Sequence, residues 1–132
     1  MSADAAQSAP ELSPEQIRLL TEIGMMAAQQ GLPAKAEAIF QALRILRPQQ
    51  PGSYVGLAMV RMNSGLNDEA IRVLERDGLA ACPDDPDIRV FLGLALRLAK
   101  RAAESERMLD GVLRSHPQER AAILARSLLA QH

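Results

Sequence analysis

Apolar residues recur at helical spacing along most of the chain. The stretch from Ala36 to Leu57 shows this most clearly, because one apolar stripe ends at a Pro-x-x-Pro turn and another begins just after it. The first stripe consists of Ala36, Ile39, Phe40, Leu43 and Leu46, and the second starts at Tyr54, Val55 and Leu57. Residues three and four positions apart share one face of a helix, so the pattern predicts two amphipathic helices joined by a short turn.

The same periodicity predicts seven helices. Ser13 is expected to cap the first helix, with Pro14 in its first turn and Gln16 completing a capping box. The predicted helices span about 14–31, 33–46, 52–63, 67 onward, 86 onward, 102–114 and 119–130. The pair Asp77-Gly78 is expected to weaken the end of the fourth helix. Residues 1–12 show no periodicity and are predicted to form a disordered tail.

Small residues and prolines recur at a nearly constant interval. Equivalent positions lie 34 or 35 residues apart in four sets: Pro48, Pro83 and Pro117; Gly24, Ala58 and Gly93; Ala36 and Ala70; Phe40 and Leu74. The two spacings of 35 predict one extra residue in the second unit, near Asp77-Gly78-Leu79. A helix-turn-helix repeat of about 34 residues is the signature of a tetratricopeptide repeat.

The chain therefore resembles the tetratricopeptide repeat (TPR) family. The resemblance implies an all-α fold, a right-handed superhelix of three helix-turn-helix units at about 17–50, 51–85 and 86–117. A C-terminal capping helix at 118–130 would complete a TPR domain spanning 13–131. The third unit departs from the family pattern, since Lys100 stands where glycine is usual and Ser105 where alanine is usual.

Composition supports an all-helical protein and disfavours several functions. Aromatic residues make up 2% of the 132 residues, which suits a helical fold better than a β-sandwich. The net charge of −1 and the lack of a basic stripe disfavour nucleic-acid binding. No apolar run reaches the length of about 18 residues that a membrane span needs, and the N-terminus does not resemble a secretory signal. The expected compartment is the cytoplasm.

Residues with catalytic or ligand-binding chemistry are few and scattered. His116 precedes a turn proline, His132 is the last residue, and Asp84-Asp85 fits a turn and helix cap better than a calcium site. Cys82 has no partner for an internal disulfide and is interpreted as a packing residue, with a reactive thiol as the alternative. The sequence therefore predicts no enzyme activity, no metal and no cofactor.

The resemblance to TPR proteins implies a binding surface on the concave side, formed by the first helix of each unit. The positions predicted to face this groove are Arg18, Thr21, Met25 and Ala28, then Val55, Met59 and Met62, then Asp87, Val90, Leu94 and Arg97. Arg18 and Arg97 are expected at the rim. Methionine adapts to differing apolar partners, so a Met-rich groove favours an apolar peptide segment as the ligand. The alternative is that these methionines are core residues covered by the tail or by a second copy.

One known kind of TPR partner can be checked against these positions. TPR domains that bind the acidic C-termini of heat-shock chaperones use a clamp of Lys, Asn and Arg. The matching positions here are Thr21, Met25, Gly56, Asp87 and Phe91, which disfavours that partner.

A more specific resemblance lies in Ala36-x-x-x-Phe40-Gln41-Ala42-Leu43-x-x-Leu46 followed by Tyr54-x-Gly56-Leu57-Ala58. These residues resemble the first repeat of the small TPR chaperones of bacterial type III secretion. A related set of small secretion-apparatus proteins from plant-associated bacteria shares the repeat style. The resemblance implies a cytoplasmic escort that holds an apolar segment of a secreted partner.

Two hypotheses follow for function. The first is a non-catalytic chaperone or adaptor that binds an extended or helical apolar protein segment in the groove. The second is a structural TPR scaffold or assembly component that self-associates, as in a homodimer, through its outer faces and last helix.

Overall fold

Seven helices account for most of residues 11–131, the part of the chain that the computed structural model describes. They are α1 (Pro14–Gln29), α2 (Pro33–Leu46), α3 (Pro51–Asn63), α4, α5 (Pro86–Leu98), α6 (Ala102–Ser115) and α7 (Arg120–Ala130). Helix α4 is continuous through three segments, Asn67–Arg72, Val73–Gly78 and Leu79–Ala81. Residues 11–131 contain no strand, and the prediction of an all-α fold is confirmed. Most of the predicted tail, and His132, lie outside the described residues.

The helices pack as three consecutive hairpins, α1 with α2, α3 with α4, and α5 with α6. The first helix of each later hairpin also contacts both helices of the hairpin before it, and α7 packs on α5 and α6. The predicted right-handed superhelix of three TPR units with a capping helix is confirmed. Helices α1, α3, α5 and α7 consequently form one layer, and α2, α4 and α6 form the other.

Helices α1 and α5 begin with the side-chain caps expected from the sequence, whereas α2, α3, α4, α6 and α7 begin without a side-chain cap. The Ser13 hydroxyl accepts a hydrogen bond from the Gln16 amide at 3.1 Å, and the Gln16 side-chain oxygen accepts one from the Ser13 amide at 2.9 Å. Asp85 caps α5 by accepting from the Ile88 amide at 2.9 Å. Leu12, predicted to belong to the tail, instead packs against the core, and its carbonyl accepts a hydrogen bond from Arg47 at 2.6 Å.

The first helix of every unit ends in the same turn. The residue that follows the helix C-cap has a left-handed backbone, with φ of 74° at Gly31, 76° at Gly65 and 65° at Lys100. In each case its amide donates to the carbonyl three residues earlier, and the next amide donates to the carbonyl five residues earlier. This is the Schellman motif, which favours glycine because a Cβ is strained at positive φ. Lys100 adopts the same conformation although it has a Cβ, so its backbone is strained.

Large side chains fill the space that small residues leave between helices. Phe40 is fully buried, and its ring lies so close to α1 and α3 that a Cβ on Gly24 would be 2.8 Å from Phe40 Cζ and one on Gly56 would overlap the ring. Leu109 fills the equivalent gap beside Gly93. Ser105, at the usual alanine position, is buried and donates to the Gly93 carbonyl at 2.7 Å. The buried serine hydroxyl therefore has a hydrogen-bond partner.

The second unit accommodates its extra residue inside α4. Val73–Gly78 form a π-helical segment, in which hydrogen bonds span one residue more than in an α-helix. The predicted insertion site near Asp77-Gly78-Leu79 falls at the end of this segment. The pair Asp77-Gly78, expected to weaken the helix, is instead helical, and the helix continues to Ala81.

Cys82 follows α4 and packs at the turn between units. Its thiol donates to the Gln49 carbonyl at 3.3 Å, and burial, followed by the Asp85 carboxylate, raises the pKa of the thiol. A raised pKa reduces the thiolate fraction, so the environment fits a packing residue rather than a reactive thiol.

Candidate partner-binding groove

A cavity of about 380 Å³ lies where α1, α3, α5 and α7 converge. These four helices are called the inner layer below. Its walls come from all three units and from the capping helix. The lining residues are Met25 from α1, Pro51, Gly52 and Val55 from α3, Asp87, Val90 and Phe91 from α5, and Arg120, Ala121 and Leu124 from α7. Three of the predicted contacts, Met25, Val55 and Val90, therefore meet at one site, together with Asp87.

The apolar part of the lining divides into a floor and an accessible wall. Val55 and Val90 are buried and belong to two different core clusters, so they form the floor. Met25, Phe91 and Leu124 are half-buried and leave apolar surface open to a ligand. Gly52 and Ala121 contribute almost no side-chain volume, which widens the cavity between α3 and α7.

The other predicted groove residues lie elsewhere. Met59 and Met62 pack against the core cluster shared by α3, α4 and α5, and Leu94 packs against the cluster shared by α5, α6 and α7. Thr21 is half-buried and its hydroxyl donates to the Ile17 carbonyl at 2.8 Å. Met25 is therefore the one methionine in the cavity lining, and the lining is aliphatic and aromatic rather than methionine-rich.

The two arginines expected at the rim have different surroundings. Arg18 is exposed, with its guanidinium 4.0 Å from the Glu15 carboxylate. Arg97 donates to the carbonyls of Leu128 and Gln131 at the end of α7. Its guanidinium therefore holds the capping helix, which forms one wall of the cavity.

Two opposite charges line the cavity, Asp87 on α5 and Arg120 on α7. Partial burial, then the nearby Asp85 carboxylate, raises the pKa of Asp87, while Arg120 acts in the opposite direction. Asp87 forms no ion pair within 4.0 Å among residues 11–131. The carboxylate and the guanidinium are therefore polar groups placed beside an apolar surface, an arrangement typical of sites that orient a mainly apolar ligand.

The α7 contribution was absent from the sequence-based set, although the repeat contains a signal for it. Ala121 and Leu124 lie 34 residues after Asp87 and Val90, so α7 occupies the place of the first helix of a fourth unit. Adding another 34 residues to the groove-facing positions predicted on α5 identifies both residues. Phe91 lies beside the counted Val90, Arg120 lies beside Ala121, and Pro51 and Gly52 lie about one helical turn before Val55.

Metal sites and membrane-spanning helices were considered for the described part of the chain. Across residues 11–131, no three His, Cys, Asp or Glu side chains are grouped so that they could hold a metal ion. Within the same residues, no helix is both long enough and apolar enough to cross a bilayer.

Comparisons with known proteins identify relatives at the level of family and fold. A family model described as "Bacterial type III secretion protein (HrpB1_HrpK)" matches residues 8–132. No curated protein matches the sequence significantly.

Among solved structures, the type III secretion translocator chaperone SycD of Yersinia enterocolitica is similar with a TM-score of 0.73 and 23% identity, covering 91% of this chain and 92% of SycD. SycD in complex with a peptide of the translocator YopD gives a TM-score of 0.68 and 20% identity, covering 91% and 97%. PcrH in complex with the chaperone binding region of PopB gives 0.70 and 20% identity, covering 91% and 99%. At these identities the similarity establishes a shared fold.

Proposed function

Because the chain belongs to the HrpB1/HrpK family of bacterial type III secretion proteins, we propose that it is a non-catalytic chaperone that holds an apolar segment of a secreted partner. The observation that carries the proposal is the cavity in which all three repeats and α7 meet. SycD and PcrH, which share the fold, have been captured with segments of other proteins, a YopD peptide and a region of PopB. The chaperone would act in the cytoplasm, before the partner is exported.

The size and chemistry of the cavity favour an apolar anchor as the bound feature. Met25, Phe91 and Leu124 offer apolar surface on three sides, and a fully buried aliphatic or aromatic anchor contributes about 1.5–3 kcal/mol. Two or three anchors distributed along the inner layer would give micromolar binding after the costs of association. Asp87 and Arg120 are placed to bond polar groups of the ligand backbone or side chains beside the anchor.

The test uses an array of overlapping synthetic peptides that covers the secreted proteins of the same secretion system. Peptides that bind are then titrated by fluorescence anisotropy against wild type, Met25→Glu and Leu124→Glu. A charge in the cavity wall should weaken binding at least about 10-fold, since it removes one apolar contact and leaves the carboxylate partly desolvated.

Adjacent residues provide matched controls for both substitutions. Met26 and Ile123 follow and precede the tested residues on the same helices, but their side chains are exposed on other faces. Met26→Glu and Ile123→Glu should therefore bind as wild type does. If no peptide binds, or if Met25→Glu and Leu124→Glu bind normally while remaining folded by circular dichroism, the groove is not the binding site.

A further inference from the structure

A second groove lies on the outer side of the molecule, between α4 and α6. Both helices pack on α5, which lies between them, and the open space measures about 420 Å³. Three arginines line it together with apolar or small residues: Arg89, Arg101, Arg107, Leu96, Met108 and Gly111. Arg89 lies roughly opposite Asp87 and Phe91 on α5, since successive residues are about 100° apart, so this groove is separate from the cavity of the inner layer. It is called the outer groove below.

The corresponding surface between units one and two is bridged by an ion pair. Arg44 of α2 lies 3.2 Å from the Asp77 carboxylate of α4, and its guanidinium carbon lies 5.6 Å from the centre of the Tyr54 ring. Gly111 lies 34 residues after Asp77, and Arg89 lies 35 residues after Tyr54. The outer groove therefore has neither the carboxylate nor the aromatic ring at these places, and a Cβ built on Gly111 would meet nothing within 4 Å.

Two of the arginines have unused hydrogen-bonding capacity. The Nε atom of Arg89 is buried and has no hydrogen-bond partner within residues 11–131, although the same guanidinium donates to the Pro83 carbonyl at 3.0 Å and lies 4.0 Å from the exposed Asp84 carboxylate. Arg107 is exposed and forms no ion pair within 4.0 Å in the described part of the chain. A buried donor without an acceptor is costly, so an acceptor brought by a ligand would be favoured here.

The charges that line the outer groove favour an anionic ligand. Besides the three arginines, the lining contains two carboxylates, Glu75 and Glu104. Glu104 pairs with Arg101 at the start of α6. Arg89 and Arg107 are then balanced by Glu75 alone, and arginine binds carboxylates through parallel N–H donors.

The remaining lining indicates which kind of anion fits. Met108 is half-buried beside the buried Leu96, so apolar surface adjoins the arginines. The rise from Arg89 to Leu96 along α5 is about 10 Å, the length of about three extended residues. Because carboxylates interrupt the arginines and the net charge of the chain is −1, a nucleic acid is a poor match.

We propose that the outer groove binds an acidic segment of a partner protein. A carboxylate of the segment bonds Arg89 and Arg107, and an adjacent apolar side chain packs on Met108. This interaction does not depend on the chaperone function, because the cavity of the inner layer lies on the other side of α5. One copy of the protein can therefore hold an apolar segment and an acidic partner at the same time.

The test uses short synthetic peptides that contain several glutamates and a leucine at varied positions, each with a matched peptide in which glutamine replaces every glutamate. Binding to the full chain is measured by fluorescence anisotropy at low ionic strength. The acidic peptides should bind at least about 10-fold more tightly than their glutamine counterparts, and Arg107→Glu should weaken them by a similar factor. Arg72→Glu is the matched control, because Arg72 is exposed 35 residues before Arg107 and does not line the groove. Arg72→Glu and Met25→Glu should bind the acidic peptides as wild type does.

Nuclear magnetic resonance of the same chain locates the contact directly. The Nε–H signal of Arg89, assigned by its loss in Arg89→Lys, should shift when an acidic peptide is added and should not shift with the glutamine peptide. If inorganic phosphate at the same concentration produces an equal shift, the groove takes an adventitious ion only and the proposal is wrong.

Other results would also overturn the proposal. They are a lack of binding by every acidic peptide, equal binding of the glutamine peptides, or equal weakening by Arg72→Glu. If Arg107→Glu does not fold by circular dichroism, a second pair of variants decides. Gly111→Asp places a carboxylate in the open space and should weaken binding, whereas Gly111→Ala should not, since its Cβ meets no other atom. Normal binding by Gly111→Asp would refute the assignment.

Discussion

Replacing Lys100 with glycine is expected to stabilise the protein. Lys100 follows the C-cap of α5 and has φ of 65°, the conformation that Gly31 and Gly65 adopt after α1 and α3. Its amide donates to the Arg97 carbonyl at 3.0 Å, as the Gly65 amide does to the Met62 carbonyl at 3.0 Å. Since the side chain is exposed, the backbone conformation should dominate the effect of the substitution.

The size of the effect is the difference between two opposing terms. A left-handed backbone costs a residue with a Cβ about 1–2 kcal/mol, which glycine avoids. Glycine in turn lowers the free energy of unfolding by about 0.5–1 kcal/mol, because the unfolded chain is more flexible at a glycine. Lys100→Gly should therefore raise the free energy of unfolding by about 0.5–1 kcal/mol, or the melting temperature by about 2–4 °C.

The assay is urea unfolding followed by circular dichroism at equal protein concentration, because association would otherwise change the apparent stability. Two controls bracket the result. Gly65→Lys imposes the same strain on the second unit and should lower stability by a similar amount. Ala42→Gly, on the exposed side of α2, should lose about 1 kcal/mol, as glycine does inside helices. An unchanged or lower stability for Lys100→Gly would refute the strain argument.

Three further predictions concern packing, charge and the capping helix. Gly56→Ala should lower the free energy of unfolding by about 1–3 kcal/mol in urea titrations, because its Cβ overlaps the Phe40 ring, and adding Phe40→Leu should recover part of the loss. Asp87→Asn should raise the melting temperature at neutral pH: burial raises the folded-state pKa, so the charged carboxylate opposes folding above both pKa values. That advantage should vanish as pH falls below the ordinary value of 3.8, where both states are protonated, and thermal unfolding across pH would show it. Arg97→Ala should cost about 1–2 kcal/mol and speed hydrogen exchange in α7, whereas Arg126→Ala, which removes an exposed bond to a loop carbonyl, should cost less than about 0.5 kcal/mol.

The fold was predictable from the sequence because its signals are local and repeated. Prolines at intervals of 34 or 35 mark the turns between units, small residues at the same intervals mark close helix contacts, and Ser13 with Gln16 specifies a cap that the structure contains. The form of the irregular turn was not predictable. The interval of 35 located an extra residue, but whether it would enlarge a loop or widen a helix depends on the packing of α4 between α3 and α5.

The groove was predictable only in part, because curvature decides which turn of each helix reaches the cavity. Counting positions selected the face of α1, α3 and α5 that lines the cavity, and hence Met25, Val55 and Val90. Met59 and Met62 lie one and two turns further along α3, outside the cavity lining, where they are half-buried against the core cluster shared by α3, α4 and α5. A periodic pattern specifies which face of a helix is turned towards the cavity, but not which turn of that helix reaches it.

The widened turn in α4 also determines how this repeat tolerates a change in length. One residue added to a regular helix turns everything beyond it by about 100° and would point the next buried side chains towards solvent. Here the altered hydrogen bonding confines that rotation to Val73–Gly78, so Ile88 and Leu92 still reach their buried positions. Deleting Glu75 should accordingly restore an ordinary helix and leave the third unit in register, which makes this segment a place where insertions and deletions can be accepted without rebuilding the rest of the molecule.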